Sequence, residues 1–208
     1  MFEIMRARVG WVTVYAVAMA AVEAAVVVYL RALHPVTTPE PMAVVAAALP
    51  PHVLTIEMGR EAATLVMLAV VAALAGRGWW DRLLYFSLAF GVWDFFYYVW
   101  LWVFIGWPPS LLTWDVLFLL PVPWLAPVLA PLIVSVGLVA GALVMLGRPP
   151  LRWPGWVASG LGAFLILLSF TLDYRVVVQG LDPPPFRWWL FLVGVALSVG
   201  AVLRQALA

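Results

Sequence analysis

The sequence predicts an all-α bundle of about six transmembrane helices with both termini on the cytoplasmic side. Three observations carry that expectation. Of 208 residues, 66% are hydrophobic and only 10% are charged, where a soluble domain carries roughly 25% charged residues. Apolar runs long enough to cross a bilayer as helices, about 20 residues each, recur along the chain. Between them lie short linkers marked by Pro50-Pro51, Pro108-Pro109 and Pro183-Pro184-Pro185, and proline interrupts a helix because it lacks the N–H that the helix needs.

The first span is placed at about 10–32. Its basic start resembles a signal peptide, but the apolar stretch is longer than an h-region, contains Glu23 and lacks a small-residue cleavage site, so it reads as a retained helix. The second span covers about 53–76, behind Pro50-Pro51, and the third about 82–106, ahead of Pro108-Pro109. A short apolar piece at 111–120 precedes a fourth span at about 124–147; the fifth covers about 154–178 and the sixth about 186–206. At about 1.5 Å per residue, each is long enough for about 30 Å of hydrocarbon. No internal repeat is visible, and one membrane domain over 1–208 is expected.

Orientation follows from the arginines. In a six-span arrangement Arg6, Arg8, Arg77, Arg82, Arg148, Arg152 and Arg204 fall on one side, and Arg31, Arg175 and Arg187 on the other. Cytoplasmic loops carry the excess of positive residues, so the first set is cytoplasmic. The 33–52 loop then faces outward, and its segment "PEPMAVVAAALPPH" is too short to span and suits an interfacial helix. The expected location is a cell membrane, the inner one in a bacterium.

Ionisable residues within the spans are the first functional signal. "TIEMGREAA" puts Glu57, Arg60 and Glu61 at the head of the second span, about 6 to 13 Å below its outer end at helical rise. Spacings of three and four place Glu57 on one face with both Arg60 and Glu61. Asp115, Asp173, Arg175 and Arg31 are expected at similar depth, and Glu23 and Asp94 nearer the middle. A charge at membrane depth costs roughly 2.5–3.5 kcal/mol on insertion scales, so these groups are expected to turn inward and form one polar pocket open to the non-cytoplasmic side. Glu61, Asp94 and Asp115 are the candidate acids and bases; Glu23, Glu57, Arg60, Tyr97, Tyr98, Asp173 and Arg175 are candidate ligand-binding residues. Against this stands a purely structural role, in which arginine–carboxylate pairs lock helices together. For Asp94 the structural alternative is a hydrogen bond to Tyr97, Tyr98 or a backbone carbonyl.

Aromatic residues supply the second signal. Phe90, Tyr97 and Tyr98 share the helical face of Asp94, and rings around a carboxylate suit an organic cation through cation–π attraction, or an isoprenoid lipid. Trp107, Trp114, Trp153 and Trp156 fit an interfacial belt instead. The third signal is "LLPVPWLAPVLAPL", where Pro123, Pro127 and Pro131 recur every four residues. Within a helix Pro131 would kink the chain or free the carbonyl of Pro127 for coordination. The spacing of Gly137 and Gly141 suits close helix packing, inside the bundle or in a homodimer.

Composition also excludes chemistry. There is no Cys, so disulfides, thiolate nucleophiles, thiolate metal sites and covalent haem attachment are out. All 11 basic residues are Arg, which removes a Lys Schiff base. The formal net charge of +1 and the absence of a basic run argue against nucleic acid as a partner. His34 and His52 both fall in the outer loop, unsuited to holding a haem between helices. No cofactor is identified; a divalent cation held by Glu57, Glu61 and Asp115 is compatible with the donor chemistry. Three function classes remain. The first is an outward-facing site, in some versions catalytic, for a small or lipid-like ligand drawn from the membrane. The second is a proton- or cation-coupled transporter, for which mid-membrane acids are the usual relays. The third is a non-catalytic subunit of a larger membrane complex.

Overall fold

The computed structural model describes residues 2–33, 49–179, 181 and 184–207. Helix α1 (Phe2–Leu33) is followed by α2 (Pro51–Ala75) and α3 (Trp79–Ile105), then by strands β1 (Trp114–Phe118) and β2 (Trp124–Pro127). Helices α4 (Leu129–Met145), α5 (Trp153–Thr171), α6 (Tyr174–Val178) and α7 (Trp188–Ala206) complete the chain. The protein is mostly helical. Five described helical segments are long and apolar enough to cross a membrane: α1, α2, α3, Trp153–Val176 and α7. The interfacial helix expected within the 33–52 loop, and His34, lie outside the described residues.

Local sequence accounts for most boundaries. Proline stands at the first position of α2 and within the first two of α5, where its missing N–H costs no helical bond. Helix α3 starts at Gly78 and ends at Gly106, which takes the left-handed conformation (φ 67°) and returns its N–H to Trp102 O. This is a C-terminal geometry that glycine adopts without steric cost.

The fourth span departs from expectation. Residues 124–127 are not helical; they form β2, antiparallel to β1, with Asp115 opposite Ala126 and Val116 opposite Leu125. A bulge between Val116 and Phe118 interrupts the register. Beyond Pro127 the pairing continues, Val128 N–H donating to Thr113 O at 2.9 Å and Leu129 N–H to Leu111 O at 2.8 Å. The closely spaced prolines 121, 123 and 127 remove the amide hydrogens that a helix needs, while Trp, Val and Phe suit a pleated strand. The fold is thus helical with one hairpin, not wholly α. Helix α4 begins only at Leu129, so Pro131 sits in its first turn, where no intrahelical bond is lost. The expected kink or freed carbonyl at Pro131 is accordingly replaced by a helix start.

Contacts divide the chain into two compact units: Met1–Leu30, Thr64–Pro109 and Leu132–Pro150 in one, and Arg31–Ala63, Ser110–Pro131 and Leu151–Ala208 in the other. In the first unit, Val12, Ala16, Ala20, Ala24 and Val27 form the buried stripe of α1. Arg8 Nη1 donates to Ala75 O at 2.8 Å, capping the end of α2, and Trp100 Nε1 donates to Val17 O at 3.1 Å. Helices α3 and α4 run antiparallel and meet at Gly91, where an added Cβ would lie 2.7 Å from Ser135 O. Gly137 faces open space within the chain, and the close approach of α4 to α3 is made at Gly91.

The second unit is built on the α5–α7 pair. A Cβ on Gly162 would lie 2.5 Å from Gly194 O, and one on Gly194 would lie 2.7 Å from Gly162 O. Two facing glycines let the helix backbones touch, the arrangement that small residues permit in apolar surroundings. Toward one end of this pair Phe170, Phe186 and Phe191 stack, with Trp188 edge-on to Phe191. The hairpin joins the same unit: Leu125 packs with Trp114, Val116 and Tyr174, and Trp114 meets Phe186 edge-on at 6.0 Å. Gly160, two residues from the contact, faces open space. Gly162→Leu is therefore expected to destabilise the protein by about 1–3 kcal/mol or more through overpacking, and Gly160→Leu by less than about 0.5 kcal/mol. Thermal unfolding of the two detergent-solubilised variants checks this directly.

Candidate functional site

Helix α2 carries its polar residues on one stripe. Its buried positions are Glu57, Glu61, Thr64, Leu68 and Ala72, spaced by three or four as one helical face requires. Acids therefore occupy the first two places of a face whose remainder is suited to close packing. Arg60, between them, forms an ion pair with Glu57, its Nε donating to Oε2 at 2.9 Å. That pairing is the one that the i,i+3 spacing predicts.

Glu61 reaches the hairpin. The backbone N–H of Leu119, in the β1–β2 turn, donates to Glu61 Oε2 at 2.9 Å and to Oε1 at 3.2 Å. A carboxyl group accepting a backbone N–H satisfies a buried donor that would otherwise be costly, and here it ties the start of α2 to the turn. Asp115 stands on the same hairpin and is fully buried, at 0% exposure. Around it the hairpin is aromatic, with Phe118 and Trp124 rings 5.4 Å apart. Glu57, Glu61 and Asp115 are each at most 9% exposed, so the second unit buries three carboxyl groups, Asp115 on the hairpin and Glu61 bonded to its turn.

The remaining predicted residues sit in other settings. In the first unit Glu23 accepts from Thr64 Oγ1 at 3.1 Å. Asp94, half-buried on α3, accepts from Ser135 Oγ at 2.5 Å, a bond made possible by the close approach of α3 and α4 at Gly91. The described bond of Asp94 is thus to a serine across the helix pair and not to Tyr97 or Tyr98. Those tyrosines pack edge-on to each other at 5.0 Å, and Tyr98 stacks on Trp107 at 6.2 Å; Trp93 packs on Phe90 at 5.4 Å. Asp173 and Arg175 are not brought together. Asp173 forms an ion pair with Arg187, next to α7, while exposed Arg175 lies over the neighbouring Tyr174 ring. The backbone turns at Leu172 and Asp173 between α5 and α6, so the face on which two residues would share a helix changes at that point. Among the described residues no group of three or more His, Asp or Glu has metal-binding geometry, which overturns the carboxylate cation site expected from Glu57, Glu61 and Asp115.

Polar partners that escaped the sequence reading are Thr64, Ser135, Arg187 and the Leu119 N–H. Thr64 has a signal, since it continues the Glu57–Glu61 spacing; Ser135 is an isolated hydroxyl in an apolar run; a backbone amide has none. The fold defines the class, a mostly helical protein with five segments able to cross a membrane. No family model, curated protein or solved structure matches the chain, so function rests on the chemistry of these residues.

Glu61→Ala leaves the Leu119 N–H without its acceptor and is expected to destabilise by about 1–3 kcal/mol, the cost of an unmet buried donor. Glu61→Gln keeps an accepting oxygen and should cost less than half as much. Hydrogen exchange at the Leu119 amide, measured with thermal unfolding, should speed up markedly in the alanine variant and little in the glutamine variant.

Proposed function

We propose that the acids at the start of α2 and on the hairpin form a binding site, within the membrane and facing its non-cytoplasmic side, for a small or lipid-like ligand with a cationic or hydrogen-bond-donating group. The observation that carries this reading is the burial of Glu57, Glu61 and Asp115 in one unit of a chain otherwise built from apolar helices. Burying carboxyl groups is expensive, and satisfying the Leu119 N–H calls for only one of the three. Phe118 and Trp124 on the hairpin supply rings suited to an apolar or cationic ligand body. Glu61, anchored by Leu119 N–H, positions the turn, and in the catalytic version of the reading Asp115 exchanges a proton with a lipid-soluble substrate.

A second reading, a proton- or cation-coupled carrier, is favoured by one observation: Glu23–Thr64 and Asp94–Ser135 are carboxyl–hydroxyl pairs inside the helical unit, and intramembrane acids of this kind serve as relays in pumps and carriers. For either reading we take α4, 17 residues long, as a sixth crossing at the lower limit of spanning length. That places both termini on the cytoplasmic side.

Native mass spectrometry of the gently purified protein separates the readings. A discrete bound mass is expected in the wild type and its loss in Glu61→Gln, Asp115→Asn; a bound mass equal in both would count against the site. Spectra without adducts, together with proton uptake into liposomes that Asp94→Asn abolishes, would select the carrier. The topology has its own check, helped by the absence of Cys. In intact cells a membrane-impermeant thiol reagent should label neither Glu3→Cys nor Leu207→Cys, and should label both after permeabilisation.

A further inference from the structure

One end of the first unit gathers four chain segments. Arg8 binds Ala75 O, joining the start of α1 to the end of α2, and Trp80 Nε1 donates to Arg148 O at 3.1 Å, joining the start of α3 to the end of α4. The short 76–78 turn links the two pairs. Five arginines stand on these segments, Arg6, Arg8, Arg77, Arg82 and Arg148, against two acids, Glu3 and Asp81. Arg8 and Arg148 each give a donor to a helix-end carbonyl, which uses a fraction of the five N–H groups of a guanidinium. Arg6, Arg77 and Arg82 are exposed, and their guanidinium groups make no hydrogen bond or ion pair with described residues.

The same end carries an aromatic anchor. Trp79 is 62% exposed and meets Trp80 edge-on at 5.8 Å. Exposed Trp beside the end of an apolar helix sits at headgroup level in a bilayer, and that depth would hold the arginines among lipid phosphates. Arginine is the side chain whose planar, fork-like donors match a phosphate.

We propose that this end of the α1–α4 unit is a docking site for anionic phospholipid headgroups, with Arg6 and Arg77 as its open phosphate-binding groups, Arg82 and Arg148 flanking them, and Trp79 setting the depth. The partner is a lipid of the membrane that contains the protein. The site is independent of the acids on α2 and the hairpin, and it stands or falls separately from the ligand site proposed there. Orientation alone needs positive residues near helix ends; it does not need three open guanidinium groups brought together by hydrogen bonds between helices.

The test uses purified full-length protein in neutral detergent, titrated with dioleoyl phosphatidylglycerol or dioleoyl phosphatidylcholine, with bound lipid counted by native mass spectrometry. The wild type should bind the anionic lipid in clear preference. Each arginine near a membrane surface contributes about fivefold, the equivalent of about 1 kcal/mol, so Arg6→Gln, Arg77→Gln should reduce the preference by about 30-fold, and each single substitution by about fivefold. Arg82 is left in place because its stem packs against Gly76, where a Cβ would lie 2.8 Å from Arg82 Cγ. Equal binding of the two lipids by the wild type would overturn the proposal, whether or not the double variant folds. So would a preference that survives intact in a folded variant, which would reduce these arginines to topological signals.

Discussion

A buried N–H, hydroxyl or carboxyl group surrounded by hydrocarbon has no water to bond with, and leaving it unmet costs several kcal/mol. This constraint organises the polar part of the molecule. Helices satisfy their own backbone, but the β1–β2 turn does not, and Leu119 N–H is met by the carboxylate of Glu61. The bonds Glu23–Thr64 and Asp94–Ser135 answer the same need between helices. Side-chain groups that would be solvated in a water-soluble protein become here the specific links between elements.

The links form only where backbones approach closely. Gly91 allows α3 to lie against α4 at Ser135, and that proximity brings Ser135 Oγ to Asp94. Gly162 and Gly194 do the same for α5 and α7, without a polar pair but with the phenylalanine stack of Phe170 and Phe191 close by. Apolar helices in an apolar solvent gain little from burying surface against each other. Shape at small residues, and hydrogen bonds that follow from it, therefore set which helices pair and in what register.

Function enters where burial of carboxyl groups goes beyond this need. A structural role accounts well for Glu23, Asp94 and the Asp173–Arg187 pair, each of which has a described partner suited to it. The start of α2 and the hairpin are different: the same unit buries Glu57, Glu61 and Asp115, and Glu61 bonds a non-helical turn, which in a membrane is tolerated where it is enclosed by protein or lines a cavity. The arginine-rich end of the first unit is the reverse case, with charges left open to the surroundings and suited to the anionic surface of a bilayer.

Much of the architecture was legible in the sequence. Apolar runs of spanning length, bounded by proline and glycine, mark α2, α3 and α7 within several residues, and α1 at its end though not at its start, because backbone satisfaction in a helix is a local property. The Glu57–Arg60 pair was legible for the same reason, being one helical turn apart. The hairpin was not: "TWDVLF" and "WLAP" are as apolar as the helices around them, and pairing between strands depends on which segments meet in space. The proline spacing that could mark a helix kink instead marks a strand and a helix start. Partners across elements were hidden for a related reason, since Asp173 had Arg175 two residues away yet pairs with Arg187, and Asp94 had tyrosines on its own face yet bonds Ser135. Sequence by itself determined most of the helical segments and which residues are too polar for lipid, through periodicity and transfer cost. Tertiary structure decided which polar groups meet, because the approach of distant backbones at Gly91 and the turn at Leu119 create partners that no local spacing encodes.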